Sequence, residues 1–542
     1  MKTPRRLLTV GTTFGFMVLA PLPSPAVTKP VPNILLIIID DWGTDASSLY
    51  HKDKKEGRVL AKMRNIEELA NSGLLFTNAH AQPTCSPTRA AILTGRQAFQ
   101  TRVGNPKDVL PEDEHTLPEA FQSEASRYAL GSFGKWHLGN LPDRENIGYS
   151  DLGGWPVFKG FDSGAVNPNY YSWVKNDNGK VKSPYKIYST SDQVNDAIKF
   201  IKDNALRKPW FCWVAFNAPH TPYHDPPPGL APIDGYSPQP TDKSDTSQQS
   251  WQYRKMLEAL DTEIGRLLKV VNRNKTYIIV IGDNGTQADV VQAPFGPVDV
   301  SIRERHAKGD LYQGGIHVPL IVSGPAVTKP GSTTDALVHA TDLFETILEL
   351  SGINLRRIAV TTSTDGDTNT GETPRDTPFE VKEVEPDRGP DDPDLDTPAG
   401  DLTLPQPFRV RLSQLLKTRK AMLKIDATPN SKSIVPILNG TDSGERYMIV
   451  EKIDETPGEK IEKGDSGRAI RISDYPNYKL IRFGGLDSEL AAEFEFYNLA
   501  DDENEDEPLV VDKLNPKSTA YKAYWALRIK EASIGGNYGA LK

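Results

Sequence analysis

Three kinds of side chain in this sequence are spaced for chemistry on an anion. Asp40-Asp41 and Asp283-Asn284 each close an apolar run, "NILLIIIDD" (33–41) and "TYIIVIGDNG" (276–285). Carboxylates with an amide oxygen suit a hard cation, Ca2+ in preference to Mg2+. A lone Asp-Asp reads as a solvated turn, but two acidic strand ends in one parallel sheet would share one edge. Basic groups form the second set: Arg89, Lys135 and His137 in "GKWHLG" (134–139), His220 in "NAPHTPY" (217–223), and Lys308 ahead of "VPLIVSG" (318–324). Each alone reads as an ordinary surface or core residue. Together they would line a positive pocket for a tetrahedral dianion beside a metal.

The third feature is a cysteine, in "PTCSPTRAAILTGR" (83–96). Ser86 is a good N-cap and Pro87 suits the first helical position, so Cys85 is expected just outside a helix N-terminus. An anion is welcome there. On physics alone Cys85 reads two ways, as a reactive thiol of low pKa or as a buried structural residue. Cys212, in the apolar "WFCWVAFN", reads as a small core residue.

The elements that would position these groups alternate. Apolar runs at 33–41 and 276–285 lack a polar face, as in strands covered on both sides. Further strands are expected at 128–134, 209–216 and 318–324, and helices at 192–203, 253–271 and 341–353. A short helix is expected at 65–73, with Asn65 and Glu68 as a capping box and Gly73 as its stop. The alternation predicts an α/β fold, a large mainly parallel sheet sandwiched by helices. From 441, alternating runs predict a smaller C-terminal antiparallel sheet, with "YKAYWALRIKEA" (521–532) as a helix against it. Between them, about 358–407 is rich in Asp, Glu, Pro, Gly and Thr, a flexible acidic excursion, with order returning at "FRVRLSQLLKTRKAMLKI". The expected division is 1–26 signal peptide, 27–440 catalytic domain including the excursion, and 441–542 C-terminal α+β subdomain.

The 542 residues carry 63 Lys and Arg against 72 Asp and Glu, a formal net charge of −9. That balance, without a long basic run, argues against a nucleic-acid partner. The N-terminus joins a basic start to a short apolar stretch and Ser24-Pro25-Ala26, the pattern of a signal peptide. Its removal takes away Lys2, Arg5 and Arg6 and no acid, leaving −12. The expected location is periplasmic or secreted, with no stable membrane insertion. Two cysteines make no disulfide scaffold. The glycosylation-type tripeptides at Asn274 and Asn439 carry no functional weight.

Cys-Ser-Pro-Thr-Arg followed by "AAILTGR" resembles the signature of the formylglycine-dependent (type I) sulfatases, within the alkaline-phosphatase-like superfamily. Further matches follow in order: "NILLIIIDDWG", "HTLPEAF" (115–121), "GKWHLG", "KGFD" (159–162), "NAPHTPY", "GDNGT" (282–286), "KGDLYQGGIHVPLIVSGP" (308–325), "SIVPILNG" (433–440) and "EFYNLADDENE" (495–505). Gln313 departs from the pattern, where Glu is usual, and the acidic excursion separates two landmarks that normally lie closer. The resemblance implies that Cys85 is oxidised to formylglycine by a maturation enzyme. It also implies that Asp40, Asp41, Asp283, Asn284 and residue 85 hold Ca2+. The aldehyde hydrate would attack sulfur while Arg89, Lys135 and Lys308 hold the sulfuryl oxygens. His220, with Lys308, would protonate the leaving oxygen, and His137 would help expel sulfate afterwards.

Export favours a sulfated polysaccharide or oligosaccharide as substrate over a small aryl sulfate. Tyr149, Trp155, Phe158, Phe161, Tyr170, Tyr171 and Trp173 could stack on sugars or simply pack a loop. Alternatives are a broad arylsulfatase, a phosphodiesterase or phosphonate monoester hydrolase on the same fold, and a binding protein that retains an old catalytic fold.

Overall fold

The computed structural model describes residues 31–51, 59–111, 114–123, 127–139, 153–231, 244–291, 306–353, 431–441, 444–453, 466–484 and 493–534. The signal-peptide pattern, Tyr149, the acidic excursion and the "FRVRLSQLLKTRKAMLKI" stretch lie outside them. In chain order the first elements are β1 (Asn33–Ile39), α1 (Arg64–Asn71), β2 (Leu74–Phe76), β3 (Ala79–His80), α2 (Cys85–Thr94), α3 (Ala98–Thr101) and α4 (Leu117–Ser123). Next come β4 (Ala129–Lys135), β5 (Phe158–Phe161), β6 (Pro168–Asn169), β7 (Ser172–Asp177), β8 (Lys180–Tyr185), α5 (Ser189–Asn204), β9 (Trp210–Ala215) and α6 (Asp245–Leu268). Then follow β10 (Thr276–Gly282), α7 (Gln313–Ile316), β11 (Leu320–Ser323), β12 (Ser332–Thr334), β13 (Val338–His339), α8 (Asp342–Ser351) and α9 (Val435–Leu438). The C-terminal part contributes β14 (Tyr447–Ile453), β15 (Ser466–Ile472), β16 (Tyr478–Phe483), β17 (Glu493–Asn498) and α10 (Thr519–Ser533).

The large sheet runs β12-β2-β11-β10-β1-β9-β4-β5-β7-β6, with β8 paired to β7. Its centre, β10-β1-β9-β4-β5, is parallel, while β11 and the outer hairpin strands are antiparallel to their neighbours. In β1 the side chains divide by parity. Ile34, Leu36 and Ile38 pack with α2, α4 and α8 on one face, and Leu35, Ile37 and Ile39 with α1, α5 and α6 on the other. Both faces are therefore core, which is why the strand has no polar alternation.

One local expectation fails for a non-local reason. Helix α1 has no capping box: its N-cap is Met63, without a side-chain bond. Asp261 of α6 accepts from Asn65 N and Ile66 N at 3.0 and 2.9 Å, so a distant carboxylate satisfies its first amides. The strand expected at 318–324 forms as β11 and pairs antiparallel with β10, within a sheet that is mainly parallel.

The small sheet β14-β15-β16-β17 is fully antiparallel. One face packs on Leu311, Tyr312 and Ile316, the other on Ala523, Tyr524 and Leu527 of α10. Among the described residues no helix is long and apolar enough to cross a membrane.

Candidate active site

The parallel strands deliver their chemistry to one edge. Asp40 and Asp41 follow β1, Asp283 and Asn284 follow β10, Lys135 ends β4 with His137 two residues on, and β9 leads through Asn217 to His220. Because β11 runs against β10, its start lies at that same edge, and Lys308 precedes it. Gly134 lets β4 come this close to β9: at φ +108°, an added Cβ would sit 2.0 Å from the Ala215 carbonyl oxygen.

Ion pairs knit these ends together. Lys135 Nζ lies 2.6 Å from Asp40 Oδ2, and Lys308 Nζ 2.5 Å from Asp41 Oδ1. Arg89 Nη2 lies 2.7 Å from Asp283 Oδ2, and Nη1 donates to the Lys135 carbonyl at 3.0 Å. His220 Nε2 stands 3.9 Å from Asp41 Oδ2. Asn284 Nδ2 donates to Asp41 Oδ1 at 2.8 Å, which turns its amide oxygen away from that carboxylate. Asp41 and His137 both adopt left-handed backbone, φ 56° and 55°, a conformation disfavoured for residues with a Cβ. The Asp41 carbonyl is held by the Tyr253 hydroxyl at 2.7 Å.

The oxygens left over define a cation site. Asp40 Oδ1, Asp41 Oδ2 and Asn284 Oδ1 are buried without a hydrogen-bond partner. A ligand atom from each of Asp40, Asp41 and Cys85 falls within 4.8 Å of the others. Buried carboxylate oxygens without donors are costly unless a cation meets them. The two carboxylates fit a hard divalent ion, and the group becomes all-oxygen once an oxygen replaces the Cys85 sulfur.

Burial raises the Asp41 carboxyl, yet Lys308, His220 and Lys135 outweigh it and hold it well below the usual carboxylate range. Burial, with the charge of Asp40, pushes Asp283 up to about 6 against the pull of Arg89. Burial also pushes His220 down to about 4, opposed by Asp41. His137 is held well below the usual imidazole range by burial, then by Lys135 and Arg89. The Cys85 thiol is pushed up to about 12 by burial and Asp40. Burial and the charge of Asp40 thus disfavour the thiolate of an unmodified Cys85 where no cation is bound.

Three further expectations change. Helix α2 begins at Cys85 itself, with Thr84 as N-cap. Ser86 Oγ is diverted to the carbonyls of His137 and Pro106, at 2.7 and 3.2 Å, and so ties the helix to the His137 loop. Of the aromatics considered for sugar stacking, Trp155, Phe158, Phe161, Tyr170 and Trp173 are core residues, while Tyr171 is 42% exposed. Gln313 Oε1 meets His80 Nε2 of β3 at 3.3 Å, and its backbone N–H donates to Glu505 of the C-terminal part. Cys212 is buried in β9, as expected. Tyr253 and Tyr170 were not singled out as site-building residues, since a residue type does not reveal which carbonyl its hydroxyl will meet.

With this geometry in place, comparison with known proteins gives consistent results. An uncharacterized sulfatase, YdeN, of Escherichia coli is 28% identical over 61% of this chain and 65% of its own. Human N-acetylgalactosamine-6-sulfatase is 28% identical over 59% of this chain and 62% of its own. The matches thus span a little under two thirds of these relatives. The crystal structure of Ps i-CgsB in complex with k-i-k-neocarrahexaose shares the fold, with a TM-score of 0.59, 20% identity and 94% of each chain covered. The sulfatase family model matches residues 32–353, a span that runs from β1 through α8 and contains every residue of the cluster built above, so the chain belongs to the sulfatase family.

Proposed function

We propose that this protein is exported and hydrolyses sulfate esters, and that its substrate is a sulfated polysaccharide or oligosaccharide. The observation that carries the reading is the grouping of Asp40 and Asp41, each with a buried oxygen that has no hydrogen-bond partner, with Arg89, Lys135, His220 and Lys308 around residue 85. A metal with adjoining fixed cations suits a tetrahedral dianion. The glycan substrate is supported by a relative named for N-acetylgalactosamine-6-sulfate and by a neighbouring fold complexed with neocarrahexaose. Export is supported by the N-terminal sequence pattern.

Asp40, Asp41, Asp283, Asn284 and residue 85 would hold Ca2+. Bound Ca2+ supplies charge for the sulfuryl oxygens, and formylglycine at position 85 supplies a geminal-diol nucleophile. Arg89, Lys135 and Lys308 orient the sulfuryl group opposite the departing oxygen. Their positions are fixed in advance, since each is already anchored to a carboxylate. His220 would donate to the leaving oxygen from Nε2 once that nitrogen has taken up a proton, since burial keeps the imidazole neutral beforehand. His137, held to α2 through Ser86, takes the proton whose loss releases sulfate.

The test is free sulfate release from sulfated polysaccharides, their oligosaccharides and an aryl sulfate, by Ca2+-loaded protein with Cys85→Ala as blank. Release from one glycan is the expected result. No release above the blank, from protein whose Cys85 is converted, would redirect the assignment to phosphate and phosphonate esters. Cys85→Ser is expected to lose turnover, because its sulfate ester would lack a second hydroxyl to drive elimination, and normal turnover by that variant would overturn the role of residue 85.

A further inference from the structure

The loop that carries His220 is fastened from outside the parallel strands. Residues 217–220 form a turn in which His220 N donates to the Asn217 carbonyl over 2.8 Å. Tyr170, at the corner between β6 and β7, is fully buried and brings its hydroxyl to three groups of that turn. The phenol oxygen lies 2.6 Å from Asn217 Nδ2, 3.0 Å from Asn217 O and 2.7 Å from His220 O. A phenol donates one hydrogen and accepts through its lone pairs, so it accepts from the amide and donates toward the two carbonyls. Its ring is fixed as well. The His224 imidazole lies 4.3 Å from it, centroid to centroid, and is itself held by the Tyr188 hydroxyl and the Pro222 carbonyl at 3.0 and 2.9 Å.

Just beyond the carbonyl that Tyr170 holds, His220 Nδ1 lies 2.8 Å from Thr221 O. Nδ1 therefore carries the hydrogen of the neutral ring, and Nε2, turned toward Asp41 and the site, is the nitrogen that must take up a second proton for His220 to act as the acid.

We propose that Tyr170 is a positioning residue for His220: its hydroxyl fixes the 217–220 turn so that imidazole Nε2 faces the departing ester oxygen. The inference rests on reading His220 as the proton donor. The hydroxyl of Tyr170 is committed to the turn and so does not bind the ester. Deleting it should leave substrate affinity alone and impair proton delivery. The need for that proton grows with the basicity of the leaving oxygen, since a nitrophenolate departs unaided and a basic alkoxide does not.

The experiment compares wild type with Tyr170→Phe on aryl sulfates of rising phenol pKa. General acid catalysis contributes about 100- to 10,000-fold, so partial misplacement should lower kcat about 10- to 100-fold for the most basic leaving group and less than about 3-fold for nitrophenyl sulfate, with KM nearly constant. His220→Ala should steepen the same dependence, and the double variant should be no worse than His220→Ala alone. An equal loss across the series, or additive losses in the double variant, overturns the proposal. A second readout needs no turnover. The 15N shifts of the His220 imidazole should report one Nδ1–H tautomer in wild type and a mixture in Tyr170→Phe, and identical spectra overturn it. Wild-type protein that cleaves no sulfate ester would remove the proposed activity, while the tautomer would still decide the role of Tyr170. If Tyr170→Phe does not fold, Asn217→Ala, which deletes one of the three bonds to the same phenol, is measured by both readouts.

Discussion

Asp40 Oδ1, Asp41 Oδ2 and Asn284 Oδ1 are buried, lack donors and belong to residues whose other polar atoms are already engaged. The fold bears that desolvation in the absence of a cation. Binding a divalent ion should therefore appear directly as stability. In chelator-treated protein, Ca2+ at one hundred times its dissociation constant is expected to add about 2.7 kcal/mol to the unfolding free energy. Asp40→Ala and Asn284→Ala should lose this Ca2+-dependent rise in Tm, while His220→Ala, which removes no ligand, should keep it. A rise that survives in both ligand variants would place the ion elsewhere. The residues proposed as ligands were singled out in the sequence because Asp40-Asp41 and Asp283-Asn284 each close an apolar strand, and a parallel sheet gathers such ends at one edge. The phenol of Tyr170 was not legible, because its partners lie 47 and 50 residues away and nothing local marks them.

The segments that flank helix α2 on both sides are tied to the C-terminal sheet. Gln82, just ahead of the cysteine loop, accepts from Glu451 N of β14 at 2.9 Å and donates to Gln97 at 3.2 Å. The Glu451 carboxylate accepts from Phe99 N of α3 at 3.0 Å and from Arg468 of β15 at 2.8 and 2.6 Å. Both side chains of the ion pair are essentially buried. Removing one member strands the other charge, so Arg468→Met is expected to cost about 3–5 kcal/mol in denaturant unfolding, and Glu451→Leu combined with it should recover much of that loss. A single variant as stable as wild type would show the pair to be dispensable. The sequence predicted the antiparallel sheet but not this docking, just as it predicted α1 without its cap: Asp261 reaches α1 from 195 and 196 residues away. Periodicity announces that an element exists, whereas its fastening depends on where other elements land.

The two sheets meet at a seam built on histidines. His80 of β3 stacks on His317 with centroids 5.2 Å apart, pairs in register with His339 of β13, and faces Arg471 of β15 at 3.1 Å. Burial, then the charge of Arg471, pushes His317 down to about 4 and holds His80 well below its ordinary value, while burial alone pushes His339 down to about 3. An unfolded imidazole takes its proton near pH 6.5, the folded ones only near 4 and 3, so between those limits the unfolded chain binds more protons. Stability is therefore complete above pH 6.5 and declines as pH falls toward 4. Asp342, pushed up to about 6 by burial, acts in the opposite sense, since its folded form takes a proton before the unfolded one does. The imidazoles outnumber it at this seam, and each adds a slope of about 1.4 kcal/mol per pH unit when its proton uptake differs fully between states. Replacing His317 by Gln, whose amide can still donate to the Thr77 carbonyl now held at 2.9 Å, should flatten unfolding free energy against pH between 6.5 and 4 by the share of one proton and leave the curve above pH 7 parallel to wild type. An unchanged slope would mean that His317 is protonated in the folded protein, and that the seam between the two sheets is not what limits the molecule in acid.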